Sequence, residues 1–234
     1  MALPKISAPL FDAVVPSTKQ TIRLRPFLVK EEKILLLAAE ADTEREGLLA
    51  IKQVVNNCIM EEGFDIDQLT LFDLEYLFIV LRARSVNNIV EMKVTDEEDG
   101  QEHKVMIDLD AVQIDVPKET TYDVQLADDV ILRIKYPTLK TFETFPDNAT
   151  AEQILESVVY GILDCIFVGD EMTSFEGQPE EEIREFLDHL PMKANQDITK
   201  FTDNFPTVYY DAKYKNSLGN EKVISLRGLQ DFFM

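Results

Sequence analysis

Cysteine and histidine, which supply much of the chemistry of metal sites and nucleophilic enzymes, are scarce in this 234-residue sequence. It contains two cysteines, Cys58 and Cys165, and two histidines, His103 and His189. None of them has the spacing of a zinc motif, so no metal site is predicted. Two isolated cysteines give no disulfide framework, which fits a reducing cytoplasm. Both are interpreted as small buried residues.

The histidines offer little acid–base chemistry. His103 follows an acidic turn and is expected at the surface, while His189 follows Asp188 at a predicted helix end, where a protonated imidazole would suit the helix dipole. No nucleophile or orienting group is suggested beside either histidine, so no catalytic residue is predicted.

Phosphate-binding loops and long apolar runs are also lacking. The eight glycines are scattered singly and match neither the P-loop nor the dinucleotide-binding pattern, so no cofactor is predicted. The apolar runs ILLLAA and LFIVL are too short to cross a bilayer, and the start MALPKISAPLF has no apolar segment of signal-peptide length. The run Asp96 to Gly100 lacks the alternating ligands of a calcium loop, so a polar hairpin turn is the favoured interpretation.

Acidic residues, in contrast, are abundant. There are 44 Asp and Glu against 23 Lys and Arg, a net charge of −21. Such a surface repels phosphate backbones and anionic lipids, so neither nucleic acid nor a membrane is expected as a partner. Acids are dense from Asp96 to Asp129 and from Glu143 to Asp188, whereas bases outnumber acids from Met1 to Leu35. A solvated face is the favoured reading of each acidic block, and docking of a basic partner is the alternative.

Changes in the spacing of apolar residues predict an α+β fold. We expect one domain over 1-234, a helical unit with an inserted antiparallel β-sheet and small terminal β-hairpins. Its predicted segments are a hairpin in 1-27, a helical unit in 28-85, an antiparallel β insert in 86-136, a helical region in 137-204, and a hairpin with a tail in 205-234.

Local signals place the elements within these segments. Three helices are predicted in 28-85, with a break at Asp42 and Thr43, a second end at Gly63, and an apolar stripe on the third helix. That stripe consists of Leu74, Leu77, Phe78 and Leu81. Only helices are predicted in 137-204: one capped near Asn148 or Thr150, one from Pro179 to Pro191, and a short one from Gln196 to Phe201.

The C-terminal tail GLQDFFM ends in three large apolar residues, Phe232, Phe233 and Met234. Gly228 permits a tight turn that brings them together. They either fold back into the core or reach a partner. Folding back is slightly favoured, because exposed aromatic termini promote aggregation.

Three motifs together resemble a known family. The stretches RPFLVKEEKILLLA, DLEYLFIVLRARS and LRGLQDFF are similar to those of the baseplate hub family of T-even-type contractile-tailed bacteriophages, whose members are hub subunits or hub assembly chaperones. The resemblance extends from about Phe11 to Phe233. It implies a non-enzymatic protein of the infected bacterial cytoplasm that helps the baseplate hub assemble through contacts with other hub or tail proteins. No small-molecule substrate is implied.

Two alternatives stay open. A permanent structural subunit would stay in the virion baseplate, whereas a small acidic enzyme is disfavoured by the missing site. Phe27, Ile34 and Leu35 are expected in the core, and Glu31 and Glu32 are left for solvent or a partner. The residues expected to bind a partner are Arg25, Lys30, Lys33, Glu97, Glu98, Asp99, Phe232, Phe233 and Met234.

Overall fold

The chain folds into an α+β protein, which confirms the predicted class. The structure, a computed structural model, describes residues 9–39, 44–143 and 150–233. The helices are α1 (Val29–Ala39), α2 (Glu44–Cys58), α3 (Leu71–Ser85), α4 (Leu139–Glu143), α5 (Ala151–Ile162), α6 (Glu180–Asp188), α7 (Met192–Asp203) and α8 (Gly228–Phe233). The strands are β1 (Phe11–Val14), β2 (Thr21–Leu24), β3 (Ile89–Thr95), β4 (Glu102–Asp108), β5 (Gln113–Ile114), β6 (Thr121–Ala127), β7 (Val130–Lys135), β8 (Leu163–Val168), β9 (Glu171–Ser174), β10 (Val208–Lys215) and β11 (Glu221–Arg227).

The chain forms two compact units, whereas one domain was expected from the sequence. Unit 1 comprises 1–66, 72–115 and 207–234, and unit 2 comprises 67–71 and 116–206. Most of unit 2 is thus inserted between β5 and β10 of unit 1. The two strands that flank this insertion pair with each other, Gln113 opposite Tyr209 and Ile114 opposite Val208.

Unit 1 begins with the predicted N-terminal hairpin. Strands β1 and β2 pair antiparallel from Phe11 opposite Leu24, and Ile22 and Leu24 are fully buried. The turn between these strands is held by a carboxylate on α3. Asp73 accepts hydrogen bonds from the backbone N–H and the hydroxyl of Ser17 at 2.8 and 2.6 Å. A buried acid at the first turn of α3 therefore joins the hairpin to the helix.

Helix α3 is largely buried, with eight buried residues. Its apolar stripe is buried as predicted, with Leu74, Leu77 and Leu81 at 0% exposure and Phe78 at 5%. Arg82 and Arg84 lie in its last turn, where cations favour the helix dipole. Unit 1 also contains the β3–β4 hairpin and a three-stranded sheet of order β11-β10-β5.

Unit 2 contains a four-stranded antiparallel sheet of order β6-β7-β8-β9, whose side chains share a core with those of its helices. Its core combines apolar side chains from the sheet with others from α5, α6 and α7. The buried members are Val124, Leu132, Ile134, Ile162, Leu163, Ile183, Ala194 and Ile198. Thr150 caps α5 through a capping box with Gln153, in agreement with one of the two predicted caps.

Several predicted element boundaries differ from the structure. The strands in 86-136 are antiparallel, but β3 and β4 form one sheet, β5 joins β10, and β6 and β7 pair into the sheet of unit 2. Region 137-204 is not only helical, because it contains the β8–β9 hairpin. Helix α2 ends at Cys58 rather than Gly63, and α7 is longer than the predicted short helix. Asp42, Thr43 and Asn148 lie outside the described residues.

Candidate functional site

The start of α1 is fixed by a buried acid, which corrects the expectation that Glu31 is left for solvent or a partner. The Glu31 side chain is fully buried. It lies at the third helical position of α1 and accepts a hydrogen bond from the backbone N–H of Leu28 at 2.9 Å. This contact satisfies a backbone donor that the helix itself leaves unpaired.

Arg25 neutralises this buried acid. Its Nη2 donates to Glu31 Oε1 at 2.8 Å and to the backbone carbonyl of Asn57 at the same distance. Burial works against ionisation of Glu31, but the hydrogen bonds from Arg25, Leu28 and Lys30 outweigh it and lower the pKa of the carboxyl group. The same hydrogen bond raises the pKa of Arg25. Arg25 therefore anchors α1 to the end of α2.

The outward face of α1 is apolar and basic. Val29, Leu36 and Leu37 are 68%, 61% and 70% exposed, although the helix lies against α2. Their spacing of seven and eight residues places all three on one side of the helix, with Lys33 between them. Lys30 is exposed beside this face and lies 3.3 Å from Glu31. A cluster of large apolar side chains in water is typical of an interaction surface. We call Val29, Lys33, Leu36 and Leu37 the α1 face.

The acidic turn Asp96–Gly100 is engaged inside unit 1. It meets the turn Asn216–Asn220 between β10 and β11, and we call this contact the turn pair. Asp96 accepts a hydrogen bond from the Tyr214 hydroxyl at 2.7 Å. Asp99 accepts one from the backbone N–H of Ser217 at 2.8 Å. Asp96 is 3% exposed, so part of the acidic turn is buried rather than solvated.

Glu98 and His103 complete the turn pair. Glu98 accepts hydrogen bonds from the side-chain amides of Asn216 and Asn220 at 3.0 and 2.8 Å and lies 2.6 Å from Lys222 Nζ. His103 was expected at the surface, but it is half-buried, with its Nε2 2.9 Å from Asp99 Oδ2 and its ring 5.7 Å from that of Tyr214.

These contacts shift the pKa values of the turn pair. The hydrogen bond from Tyr214 lowers the pKa of Asp96 and raises the pKa of Tyr214 to about 12. The hydrogen bond from Lys222 lowers the pKa of Glu98. Burial opposes ionisation of Asp99, yet hydrogen bonds from two backbone N–H groups and from His103 lower its pKa to about 2. All three carboxylates are therefore ionised at neutral pH, and each has a partner within unit 1.

The C-terminal tail forms α8 and turns inward. Gly228 adopts φ +68° at its start, and Leu229 and Phe232 are 9% and 2% exposed. The backbone N–H of Leu229 donates a hydrogen bond to Glu75 on α3, where burial raises the pKa of the carboxyl group. The side chain of Phe233 and all of Met234 lie outside the described residues.

The predicted partner residues therefore lie in three places. Lys30 and Lys33 are exposed on or beside the α1 face, and Glu97 is exposed on the acidic turn. The others that the structure describes, Arg25, Glu98, Asp99 and Phe232, contact unit 1 itself. Sequence reasoning missed the exposed leucines of α1. The signal was the run Ile34 to Leu37, because four consecutive apolar residues in a helix cannot all face one side.

Within 9–39, 44–143 and 150–233, no three Cys, His, Asp or Glu residues are grouped so as to hold a metal ion. His189 is exposed, and its Nδ1 lies 2.6 Å from the backbone carbonyl of Glu185. Cys58 and Cys165 are free and buried, as interpreted from the sequence, and burial raises the pKa of the Cys58 thiol to about 11. None of the helices in the described ranges is long and apolar enough to span a membrane.

Comparison with known protein families identifies a match. The family model described as T4 bacteriophage base plate protein matches residues 8–234. No curated protein and no solved structure matches the chain.

Proposed function

Because the chain belongs to the T4 bacteriophage base plate protein family, we propose that it acts as an assembly chaperone for the central hub of the baseplate, through contacts with other baseplate proteins. A baseplate protein works by binding its neighbours, and no enzymatic step is part of this proposal. The observation that carries it is the α1 face, where three large apolar side chains are held in water by a helix whose start is anchored by Arg25 and Glu31.

The chemistry of the α1 face indicates what kind of surface it binds. Val29, Leu36 and Leu37 supply apolar area at the centre, which is the usual source of binding free energy in an interface. Lys30 and Lys33 add positive charge within a chain that carries −21 overall. The complementary surface is therefore an apolar groove with acidic residues at its rim, on another baseplate protein.

The acidic turn contributes less to this proposal than the sequence suggested. Charge reversal of Glu98 or Asp99 would break contacts inside unit 1, so its effect on a partner could not be separated from its effect on the fold. Glu97 is exposed and stays a proposed contact for a basic partner. Phe233 and Met234 also stay proposed contacts.

Two substitutions test the α1 face. Leu36→Glu and Leu37→Glu each place a charge where the proposed contact is apolar, so hub assembly should fail while the melting temperature and the circular dichroism of the isolated protein are unchanged. Val86→Glu is the matched control, because Val86 is an exposed apolar residue of unit 1 outside α1. Assembly that proceeds normally with both leucine variants would overturn the role of this face.

The composition of the particle distinguishes a chaperone from a permanent subunit. Mass spectrometry of purified virions, compared with lysate of infected cells, should find the chain in the lysate and not in the virions. In infections that lack the chain, the hub should fail to form. A fixed copy number in mature particles would make it a structural subunit of the hub instead.

A further inference from the structure

Strand β9 is an open edge of the sheet in unit 2. The order β6-β7-β8-β9 places β6 and β9 at the two edges. Edge β6 is next to α7, whose Phe201 stacks on Tyr122 with ring centroids 6.0 Å apart. Strand β9 pairs with β8 on one side, and none of the described strands pairs with its other side. All four of its residues are exposed.

The free backbone groups of β9 follow from its register. A two-residue turn, Gly169 and Asp170, places Val168 opposite Glu171. The pair next to a two-residue turn is hydrogen-bonded, and along the hairpin hydrogen-bonded pairs then alternate with non-hydrogen-bonded ones. Met172 and Ser174 belong to non-hydrogen-bonded pairs, so their backbone N–H and carbonyl groups point away from β8. The bond from Phe175 N–H to the Asp164 carbonyl at 3.1 Å agrees with this alternation.

One of these outward groups is used locally. The Gln178 side chain donates to the Ser174 carbonyl at 3.2 Å. The N–H and carbonyl of Met172 and the N–H of Ser174 face the open edge. Three backbone groups are thus in place for an added strand.

An apolar hollow lies beside this edge. It has a volume of about 190 Å³ and lies between β9 and α6. Ile166 and Thr173 line it from one face of the sheet, and Ile183 and Phe186 line it from α6. Phe175 closes it, with its ring 5.3 Å from that of Phe186. Side chains of an added strand alternate between faces, so the residue beside Thr173 would point into this hollow.

The chain segment that contains β9 and leads into α6 is strongly acidic, and its Glu182 lines the hollow. The segment from Asp170 to Glu182 contains six acidic residues and no basic one. No ion pair between described residues involves any of these six carboxylates. The next base in the chain, Arg184, lies 2.9 Å from Glu156. This segment, which we call the acidic rim, therefore favours a positively charged ligand.

We propose that β9 and the adjoining hollow bind an extended segment of a partner protein by strand addition, with one large apolar side chain in the hollow and lysine or arginine on either side of it. Backbone bonds to Met172 and Ser174 supply the register, the hollow selects the apolar side chain, and the acidic rim selects the flanking charges. This site goes beyond the proposed function, since it is built from residues of unit 2 alone and does not depend on the α1 face.

Peptide binding to the full chain tests the site. The probes are blocked nine-residue peptides with a central Leu, Ile, Val, Phe or Met, threonines next to it and two lysines at each end. At least one should bind with a Kd below about 1 mM. Amide NMR signals of Met172, Ser174 and Ile183 should shift on binding. The same peptides with glutamate in place of lysine should bind at least about ten-fold more weakly.

Matched variants at one position separate backbone pairing from side-chain contact. Met172→Pro removes the outward N–H at an edge position that tolerates proline, and should weaken binding at least about ten-fold. Met172→Thr keeps that N–H and should bind as the natural chain does.

A substitution at the next residue tests the hollow. Thr173→Phe fills the hollow and should abolish binding. The melting temperature of each variant checks its fold.

Three results would overturn the proposal. These are no binding by any peptide up to about 1 mM, equal binding by the glutamate peptides, and NMR shifts confined to other residues.

Sedimentation decides whether a second copy is the occupant. A dimer that dissociates in Met172→Pro would mean that the edge binds another copy of this chain, and not a basic segment of another protein.

Discussion

At the residue scale, Glu31 shows that one acid in a very acidic protein has a structural role its neighbour lacks. Glu31 is buried and accepts hydrogen bonds from Arg25 and Leu28, whereas Glu32 is exposed one position further along α1. Sequence alone treats the two as equivalent, because both occur in the first turn of a helix where acids are favourable.

Glu31→Gln should destabilise the protein while Glu32→Gln should not. The amide keeps the shape of the side chain but leaves Arg25 without its charged partner, and a hydrogen bond to a charged group is worth about 1.5–3 kcal/mol. The free energy of unfolding from urea titration should fall by about that amount for Glu31→Gln and stay within about 0.5 kcal/mol for Glu32→Gln. Equal values for the two variants would contradict the anchoring role of Glu31.

The turn pair should make stability depend on pH at both extremes. The pKa of Tyr214 is raised from 10.0 to about 12, so its contribution is present below pH 10 and is lost as pH rises through about 12. The pKa of Asp99 is lowered from 3.8 to about 2, so its contribution is present above pH 3.8 and is lost as pH falls through about 2.

Tyr214→Phe isolates the alkaline part of this dependence. The difference in free energy of unfolding between the natural chain and the variant should be constant from pH 7 to 10 and should shrink toward zero near pH 12. Other titrating groups are common to both proteins and cancel in this difference. A difference that stays the same across pH 8 to 12 would mean that the hydroxyl of Tyr214 does not hold the turn pair.

At the element scale, two glycines inside helices should respond oppositely to the same substitution. A Cβ at Gly161 on α5 would lie 2.6 Å from the Thr141 hydroxyl on α4, whereas a Cβ at Gly47 on α2 would meet nothing within 4 Å. Gly47→Ala should stabilise the protein by about 0.4–1 kcal/mol because alanine favours helix. Gly161→Ala should destabilise it by about 1–3 kcal/mol because α4 must move away.

Thermal unfolding checks both changes, and a second substitution confirms the cause. Thr141→Ala in the Gly161→Ala background removes the side chain that the new methyl group meets, so it should restore part of the lost stability. No effect of Gly161→Ala, or a loss that Thr141→Ala leaves unchanged, would contradict close packing of α4 on α5.

Elements with local signals were predictable, and those that depend on distant pairing were not. The third helix follows from its apolar spacing, and the terminal hairpins follow from alternation around short turns. The β8–β9 hairpin was missed, although Gly169 and Asp170 form a typical two-residue turn after an apolar run. The division of the strands of 86-136 between sheets depends on partners far along the chain, such as β10 for β5, and local spacing has no information about them.

The candidate sites follow the same rule. The exposed leucines of α1 were detectable from four consecutive apolar residues, but which of them face water depends on α2. The acidic turn was read as solvated or as a docking site. Its contacts with Tyr214 and Ser217 join residues 118 positions apart in the chain, which composition and spacing cannot show.

At the scale of the whole molecule, some acidic side chains are neutralised by basic side chains beside them, and others are not. Unit 1 uses Lys222 on Glu98 and Arg25 on Glu31, whereas the stretch from Asp170 to Glu182 in unit 2 contains no base. The net charge of −21 is thus unevenly distributed along the chain, and the stretch without bases includes β9 and Glu182, which lines the hollow. If the proposed basic segment binds, we expect it to be attracted to this stretch more strongly than it would be to the same charge spread evenly.

Because unit 2 is inserted between β5 and β10, its sheet is synthesised before the last strands of unit 1. Translation proceeds from the N-terminus at about 5–20 residues per second, so residues 116–206 leave the ribosome before β10, β11 and α8 exist. The nascent chain then has all the strands of the unit 2 sheet, while β5 lacks its partner and the acidic turn lacks Tyr214 and Ser217. A ribosome that stops before β10 therefore releases a chain that has all the strands of three sheets but lacks two of the three strands of the sheet β11-β10-β5.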